Sequence, residues 1–278
     1  MNGMIGAIIG DIVGSRFEFN NYKAKDFELF TDQCRVTDDS IMTLAVAKAI
    51  METEKITRTP FDADRDDSGY YAVLGEMAVK TMQEIGRKYP NCGYGGMFNR
   101  WLFSHTPQPY NSFGNGAAMR ISPAGFTATS EIEAKELAAT ITKVTHNHAE
   151  GIKGAIAVAV AIFMAAHSGT KEAIREKITT HYYPLNFTID QIRATYEFNP
   201  TCQATVPQAI EAFLESVSFE DAIRLAVSLG GDSDTLAAIA GAISEAYYGV
   251  PEEMKEKALT YLDDDLRAIY EEWDVFCR

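Results

Sequence analysis

Residues 230–246 read Gly-Gly-Asp-Ser-Asp-Thr-Leu-Ala-Ala-Ile-Ala-Gly-Ala-Ile-Ser-Glu-Ala. Asp, Ser and Thr favour helix N-termini, because their side-chain oxygens accept bonds from first-turn N–H groups. The stretch 236–246 that follows is apolar on nearly every side, and such a helix is stable only when other elements wrap it. Residues 3–14 and 154–166 share that character. The three together predict the centre of an all-α globule. Within it Gly3, Gly6, Gly10 and Gly14 allow close backbone approach, despite the entropic cost of glycine in a helix.

Outward from this centre, apolar residues recur at spacings of three and four over residues 41–51, 70–85, 131–144, 151–167, 171–179, 207–217, 220–229, 233–248 and 252–273. Each is predicted to be a helix. The stretch 187–198 is the one strand-like segment, and even there Ile189, Ile192 and Tyr196 fall at helical intervals. Residues 17–36, 104–116 and 181–206 read as long surface loops, the usual place for a site on a helical scaffold. There is no internal repeat, and 278 residues are compatible with one domain spanning 1–278.

Apolar residues make up 46% and charged residues 23%, ordinary globular values. The formal charge is -14, from 39 acidic against 25 basic side chains, a field that repels nucleic acid and anionic lipid. Neither direct nucleic-acid binding nor a membrane is expected, and a polyanionic substrate would need a local device to be held. The run 154–166 is too short to span a bilayer and reads as a core helix. Cys34, Cys92, Cys202 and Cys277 are far apart with no C-x-x-C pair, which fits a reducing cytoplasm. The N-terminal stretch lacks a basic region and meets Asp11 early, so a secretory leader is not expected.

The chemistry is concentrated in a few places. Thr37-Asp38-Asp39-Ser40 and Asp232-Ser233-Asp234-Thr235 each stand before an apolar helix. One carboxylate satisfies a cap, yet each start carries two, and neighbouring carboxylates in a partly dry site repel unless a cation neutralises them. Oxygen donors select hard cations, with magnesium first and manganese or calcium next, and four carboxylates are enough for two ions. Two other acidic runs are not assigned a metal. Asp62-x-Asp64-x-Asp66 has Asp67 where a calcium loop needs glycine and Val73 where it needs glutamate, and Asp263-Asp264-Asp265 reads as the solvated face of a helix.

Ser112-Phe113-Gly114-Asn115-Gly116 before Ala117-Ala118-Met119-Arg120 suggests a turn whose consecutive N–H groups cradle an anion such as a diphosphate. Glu18, between Phe17 and Phe19, is either a solvated loop residue or a carboxyl whose pKa is raised for acid–base work. His146 and His148, beside Glu150, lack a third zinc ligand at a familiar spacing, so a cap or phosphate contact is expected, with His146 the better site candidate.

In chain order these pieces resemble the ADP-ribosylglycohydrolase family: Gly10, Asp11, Gly14 and Glu18; Thr37 to Ser40; Ser112 to Arg120; Thr145 and His146; and Gly230 to Thr235. The resemblance implies a compact all-helical domain that hydrolyses an N- or O-glycosidic bond to ADP-ribose with two magnesium ions. It implies Thr37, Asp38, Asp39, Asp232, Asp234 and Thr235 as metal ligands. Ser112, Gly114, Asn115, Gly116 and His146 would lie around the substrate, and Glu18, with Asp39 and Asp232, would be catalytic. The cations would hold the ribose and a water while Glu18 or a ligand carboxylate manages protons. Tyr94, Tyr110, Tyr182 and Tyr196 are aromatic candidates for the adenine. Two other readings stay open: a different two-metal hydrolase of nucleotides or phosphate esters, and an inactive ADP-ribose-binding relative of the lens-crystallin kind. Against the former, the chain has no His-Asp dipeptide and no D-D-x-x-D run.

Overall fold

Within residues 3–57 and 68–277, which the computed structural model describes, the chain forms fifteen helices. The first eight are α1 (Ile5–Gly14), α2 (Asp38–Thr57), α3 (Ser68–Gly86), α4 (Gly96–Leu102), α5 (Gly116–Met119), α6 (Ser122–Thr127), α7 (Glu131–Lys143) and α8 (Ala149–Ala166). The remaining seven are α9 (Lys171–His181), α10 (Ile189–Arg193), α11 (Cys202–Glu215), α12 (Phe219–Val227), α13 (Ser233–Tyr248), α14 (Glu252–Leu259) and α15 (Asp264–Phe276). Pairing between extended segments is confined, among the described residues, to one isolated bridge between Gly114 and Thr201.

The centre is where the apolar stretches place it. Every residue of α1 is buried, and α13 touches α1, α2, α5, α6, α8, α11 and α12. Gly6, Gly10 and Gly14, one turn apart, line the face that α1 turns to α13. A Cβ at these positions would lie 2.4 Å from the Gly241 carbonyl oxygen, 2.1 Å from that of Ala237 and 2.5 Å from that of Ser233. The two helices therefore run antiparallel, backbone against backbone, and the C-terminal end of α1 is delivered to the N-terminal end of α13. At the other end Glu245 of α13 accepts bonds from Met4 N (2.9 Å) and Gly6 N (2.7 Å), satisfying first-turn groups of α1 that have no partner within their own helix.

Several boundaries differ from the periodicity. The expected helix 252–273 is two helices, because Asp263 caps α15 by accepting from Leu266 N at 2.9 Å. Asp263 is thus a helix start and not part of a continuous solvated face, the cap preference having overridden the apolar spacing. The helix expected from Pro207 begins earlier, at Cys202, with Pro207 inside it; proline forfeits one N–H there without ending the helix. The strand-like stretch 187–198 and the loop 181–206 contain α10, which starts with a capping box between Thr188 and Gln191. α8 is 18 residues, long and apolar enough by length and composition to cross a bilayer, although 56% of it is buried against other helices. The acidic run at Asp62, Asp64 and Asp66 lies outside the described residues.

The glycine contact is testable by two substitutions of opposite sign. Gly10→Ala drives a methyl into the Ala237 carbonyl and is expected to destabilise by about 3 kcal/mol. Gly75→Ala, in α3, meets its nearest atom, Thr140 Cγ2, at 3.9 Å and should stabilise by about 0.5–1 kcal/mol. Urea unfolding of both variants reads the difference.

Candidate active site

Because α1 ends beside the start of α13, Asp11 faces the segment that opens α2. Its Oδ2 accepts from Thr37 N (3.0 Å), Ser40 N (3.1 Å) and Ser40 Oγ, and its Oδ1 accepts from Thr37 Oγ1 at 2.6 Å. A carboxylate on one helix thus caps another, and both its oxygens are engaged. This holds the segment 37–40 against the start of α13: Thr235 Oγ1 lies 3.4 Å from Asp39 Oδ2, across 196 positions of sequence.

The acidic helix starts meet in the interior. One oxygen each of Asp11, Asp39 and Asp234 lie within 4.8 Å of one another, as do one each of Glu18, Asp232 and Asp234. Asp11, Asp39, Asp232 and Asp234 are all buried. Burial, and then the charges of the neighbouring carboxylates, pushes Asp38, Asp39 and Asp234 well above the usual carboxylate range. Asp39 Oδ1 is buried with no hydrogen-bond partner among the described residues. An orphaned carboxylate oxygen inside an all-oxygen cluster fits the donor set that a hard divalent cation takes.

Glu18 is not the solvated loop residue that its local sequence equally allowed. It is half-buried, and burial together with the Asp232 charge pushes its carboxyl up to about 7. The loop that carries it is fastened to the segment before α13. Asn21 Oδ1 accepts from Gly231 N, the Lys23 ammonium donates to the Leu229 and Tyr196 carbonyls, and Arg224 donates to the Lys25 and Phe27 carbonyls at 2.8 and 2.7 Å. Gly230 and Gly231 take φ of +66° and +71°, a conformation that makes this tight approach open to glycine.

Facing the carboxylates across a cavity of about 580 Å³ is the Gly-Asn-Gly turn, with Ser112, Gly114, Asn115, Gly116, Arg120 and His146 on the wall. The turn is not a row of free N–H groups. Gly114 N donates to Ser112 Oγ (3.1 Å) and Asn115 N to the Pro200 carbonyl (2.9 Å), leaving Gly116 N without a partner among the described residues. The competing acceptors come from a side chain two residues back and from the chain before α11, neither visible in local turn chemistry. Asn115 also reaches across the site, its Nδ2 donating to Asp232 Oδ2 (2.7 Å) and Thr205 Oγ1 (3.1 Å).

His146 is buried, and desolvation followed by the Arg120 charge pushes its pKa well below the usual imidazole range. His148 does not join it: its Nδ1 accepts from Glu150 N at 3.1 Å as the cap of α8. Of the tyrosines considered for adenine, Tyr110 lines the cavity, while Tyr196 donates to the Ala204 carbonyl and Tyr94 packs on Phe98.

Sequence reasoning missed two features. Asp11 stands in a sequence pattern whose spacing assigns it no role, and only the fold shows that it organises α2. The loop Gly93-Tyr94-Gly95-Gly96 also covers the site. Cys92 O accepts from Asp38 N at 2.8 Å, and Gly93, at φ +106°, leaves the Asp38 carboxylate room that a Cβ would take. The clustered glycines were the available signal.

The all-helical fold sets an oxygen-only acidic cradle against a glycine turn across one cavity, and comparison gives the class: hydrolases of glycosidic bonds to ADP-ribose. The ADP-ribosylglycohydrolase profile matches residues 1–276, and the chain belongs to that family. It is 24% identical over 344 residues to ADP-ribosylhydrolase ARH3 of Bos taurus, covering 95% of this chain and 90% of that one. It is 27% identical over 287 residues to ADP-ribosylarginine hydrolase Tri1 of Pseudomonas putida, covering 91% and 72%. A solved ADP-ribosylglycohydrolase-related protein complex superposes with a TM-score of 0.67 at 20% identity, covering 100% of this chain and 97% of that one, and shares the fold.

The carboxylate cluster sets a pH dependence. Groups whose pKa is raised by folding keep protons that the unfolded chain has released, so they favour the folded state below the unfolded value and lose that contribution as pH rises through the folded one. For Glu18 the window runs from 4.5 to about 7, and Glu245, pushed up to about 7 by burial, acts in the same direction. Cation-free protein should therefore melt at a lower temperature at pH ~8 than at pH ~5.5. A divalent cation at a hundred times its Kd should add about 2.7 kcal/mol at the higher pH. Thermal melts at both pH values, with and without magnesium, measure this.

Proposed function

We propose that the cavity hydrolyses the bond between the anomeric carbon of ADP-ribose and its carrier, with magnesium as the resident cation and manganese as a substitute. The observation that carries this reading is the convergence of Asp39, Asp232, Asp234 and Glu18 on one side of a single cavity, with the glycine turn on the other, in a chain of this family. The cavity volume is within the range of roughly 300–1,000 Å³ that small-molecule sites occupy.

Thr37, Asp38, Asp39, Asp232, Asp234 and Thr235 supply the oxygens that would hold the cations. Asp11 stands beside that set chiefly as the residue that holds the start of α2, three of its four hydrogen bonds being accepted by Oδ2 and one by Oδ1. Bound there, divalent cations supply Lewis acidity and a template for ribose hydroxyls. Ser112, Gly116 and His146 lie where the diphosphate would rest, and Asn115 steadies Asp232. Water adds to the anomeric carbon, and the bond to the carrier breaks with its electron pair leaving on the carrier. Glu18, ready to hold or give a proton near neutral pH, carries the proton from the water side to the leaving group. The name of the Pseudomonas putida relative points to arginine as one carrier to test. The four unpaired cysteines suit a cytoplasmic setting.

Incubation with ADP-ribosylated arginine and serine peptides in magnesium, followed by product analysis, tests the reading. Release of free ADP-ribose is expected, whereas AMP or phosphate would mark a phosphohydrolase. Asp38→Ala and Asp232→Ala should each abolish turnover with the fold retained by circular dichroism. Asn115→Ala, which acts through Asp232, should lose about 10–100-fold.

A further inference from the structure

Two of the three N–H groups in the Gly114–Gly116 turn are engaged within the protein, yet His146 Nε2 faces the same spot. A Cβ at Gly114 would lie 3.5 Å from Nε2, and one at Gly116 3.8 Å. Behind the ring, Thr145 Oγ1 is 2.8 Å from Nδ1, and Arg120 Nη2 is 3.5 Å from Nδ1 and 2.6 Å from Thr145 Oγ1. A guanidinium can only donate, so Thr145 Oγ1 accepts from Arg120 and its own proton is free to point at Nδ1. The alternative acceptor for that proton, the Thr142 carbonyl, is 3.5 Å away.

We infer that Arg120 and Thr145 are a positioning pair that fixes His146 as the neutral Nε2–H tautomer and aims that proton into the Gly114–Gly116 turn, adding a second anion donor to the single open N–H of Gly116. Arg120 is 1% exposed, and the ionisable groups whose charge bears on it are Tyr110 and Cys202, neither of them a carboxylate. Its charge is therefore directed at the Thr145–His146 unit and the cavity. The groups facing the ring are Arg120 and Tyr110, whose ring centroid is 5.8 Å from that of the imidazole. Neither favours an imidazolium, so the ring is a donor and not a proton carrier, and the proton traffic falls to Glu18. Only the identity of the anion, the diphosphate of ADP-ribose, rests on the proposed function.

Long-range ¹H–¹⁵N spectra of the imidazoles in ligand-free protein test this, with five histidines to resolve and His146→Gln to assign the signal. A protonated Nε2 and an unprotonated Nδ1, unchanged between pH ~5 and ~8, are expected. Thr145→Val should move both nitrogens toward the averaged position and weaken ADP-ribose binding about tenfold, with Thr145→Ser restoring both. A protonated Nδ1 in the wild-type protein, or a Thr145→Val spectrum identical to wild type, would overturn the assignment. The wild-type spectrum decides the tautomer even where a variant does not fold. The expected tautomer without any ADP-ribose binding would remove the proposed function and leave the pair standing.

Discussion

The backbone contact between α1 and α13 is the constraint on which the rest of the molecule depends. Three glycines one turn apart let two helices run with no side chain between them, which fixes their register and not merely their proximity. Register decides what meets at the far end. With Gly14 against Ser233 and Asp234, Asp11 is left beside the start of α13 and within reach of the start of α2. A shift of one helical turn, about 5.4 Å, would separate Asp11 from Thr37 and Ser40 and dissolve the acidic cluster.

That cluster sets the apolar centre of the protein against its chemistry. Burial raises the pKa of each carboxyl, and for Asp38, Asp39 and Asp234 the neighbouring carboxylate charges raise it further. Folding alone relieves little of this, because among the described residues no basic side chain bonds Asp11, Asp39, Asp232 or Asp234. The relief comes from hydrogen bonds to Asp11 and Asp232 and, in the proposed working state, from cations. An environment that makes a carboxylate unstable on its own is the same one that makes a divalent cation welcome.

The opposite wall of the cavity answers a different problem. The chain carries a charge of -14, so an anionic ligand has to be drawn in by local donors. The structure places a buried guanidinium, an imidazole and one unengaged N–H there, and separates them from the carboxylates by the cavity itself. Asn115 is the direct link between the walls, since its side chain bonds Asp232 while its backbone belongs to the turn.

How much of this was legible follows from the range of each interaction. Helix identity is local: apolar spacing and cap residues placed α2, α3, α7, α8, α9, α12 and α13 close to where they stand, and the doubled acids at Asp38–Asp39 and Asp232–Asp234 already singled out the helix starts. The short helices α4 and α6 are not legible because six or seven residues carry too little periodicity, nor is the break at Asp263, because a cap competes with a spacing that continues through it. By itself the sequence determined that the protein is a bundle of helices around three apolar ones, with acids gathered at two of their starts. Only the tertiary structure decided that those starts face each other, that Asp11 joins them as a cap, that Glu18 is folded in beside Asp232, and that the glycine turn keeps a single open N–H. Each of these depends on contacts between residues far apart in the chain, and hydrogen-bond partners chosen at that distance leave no mark on local spacing.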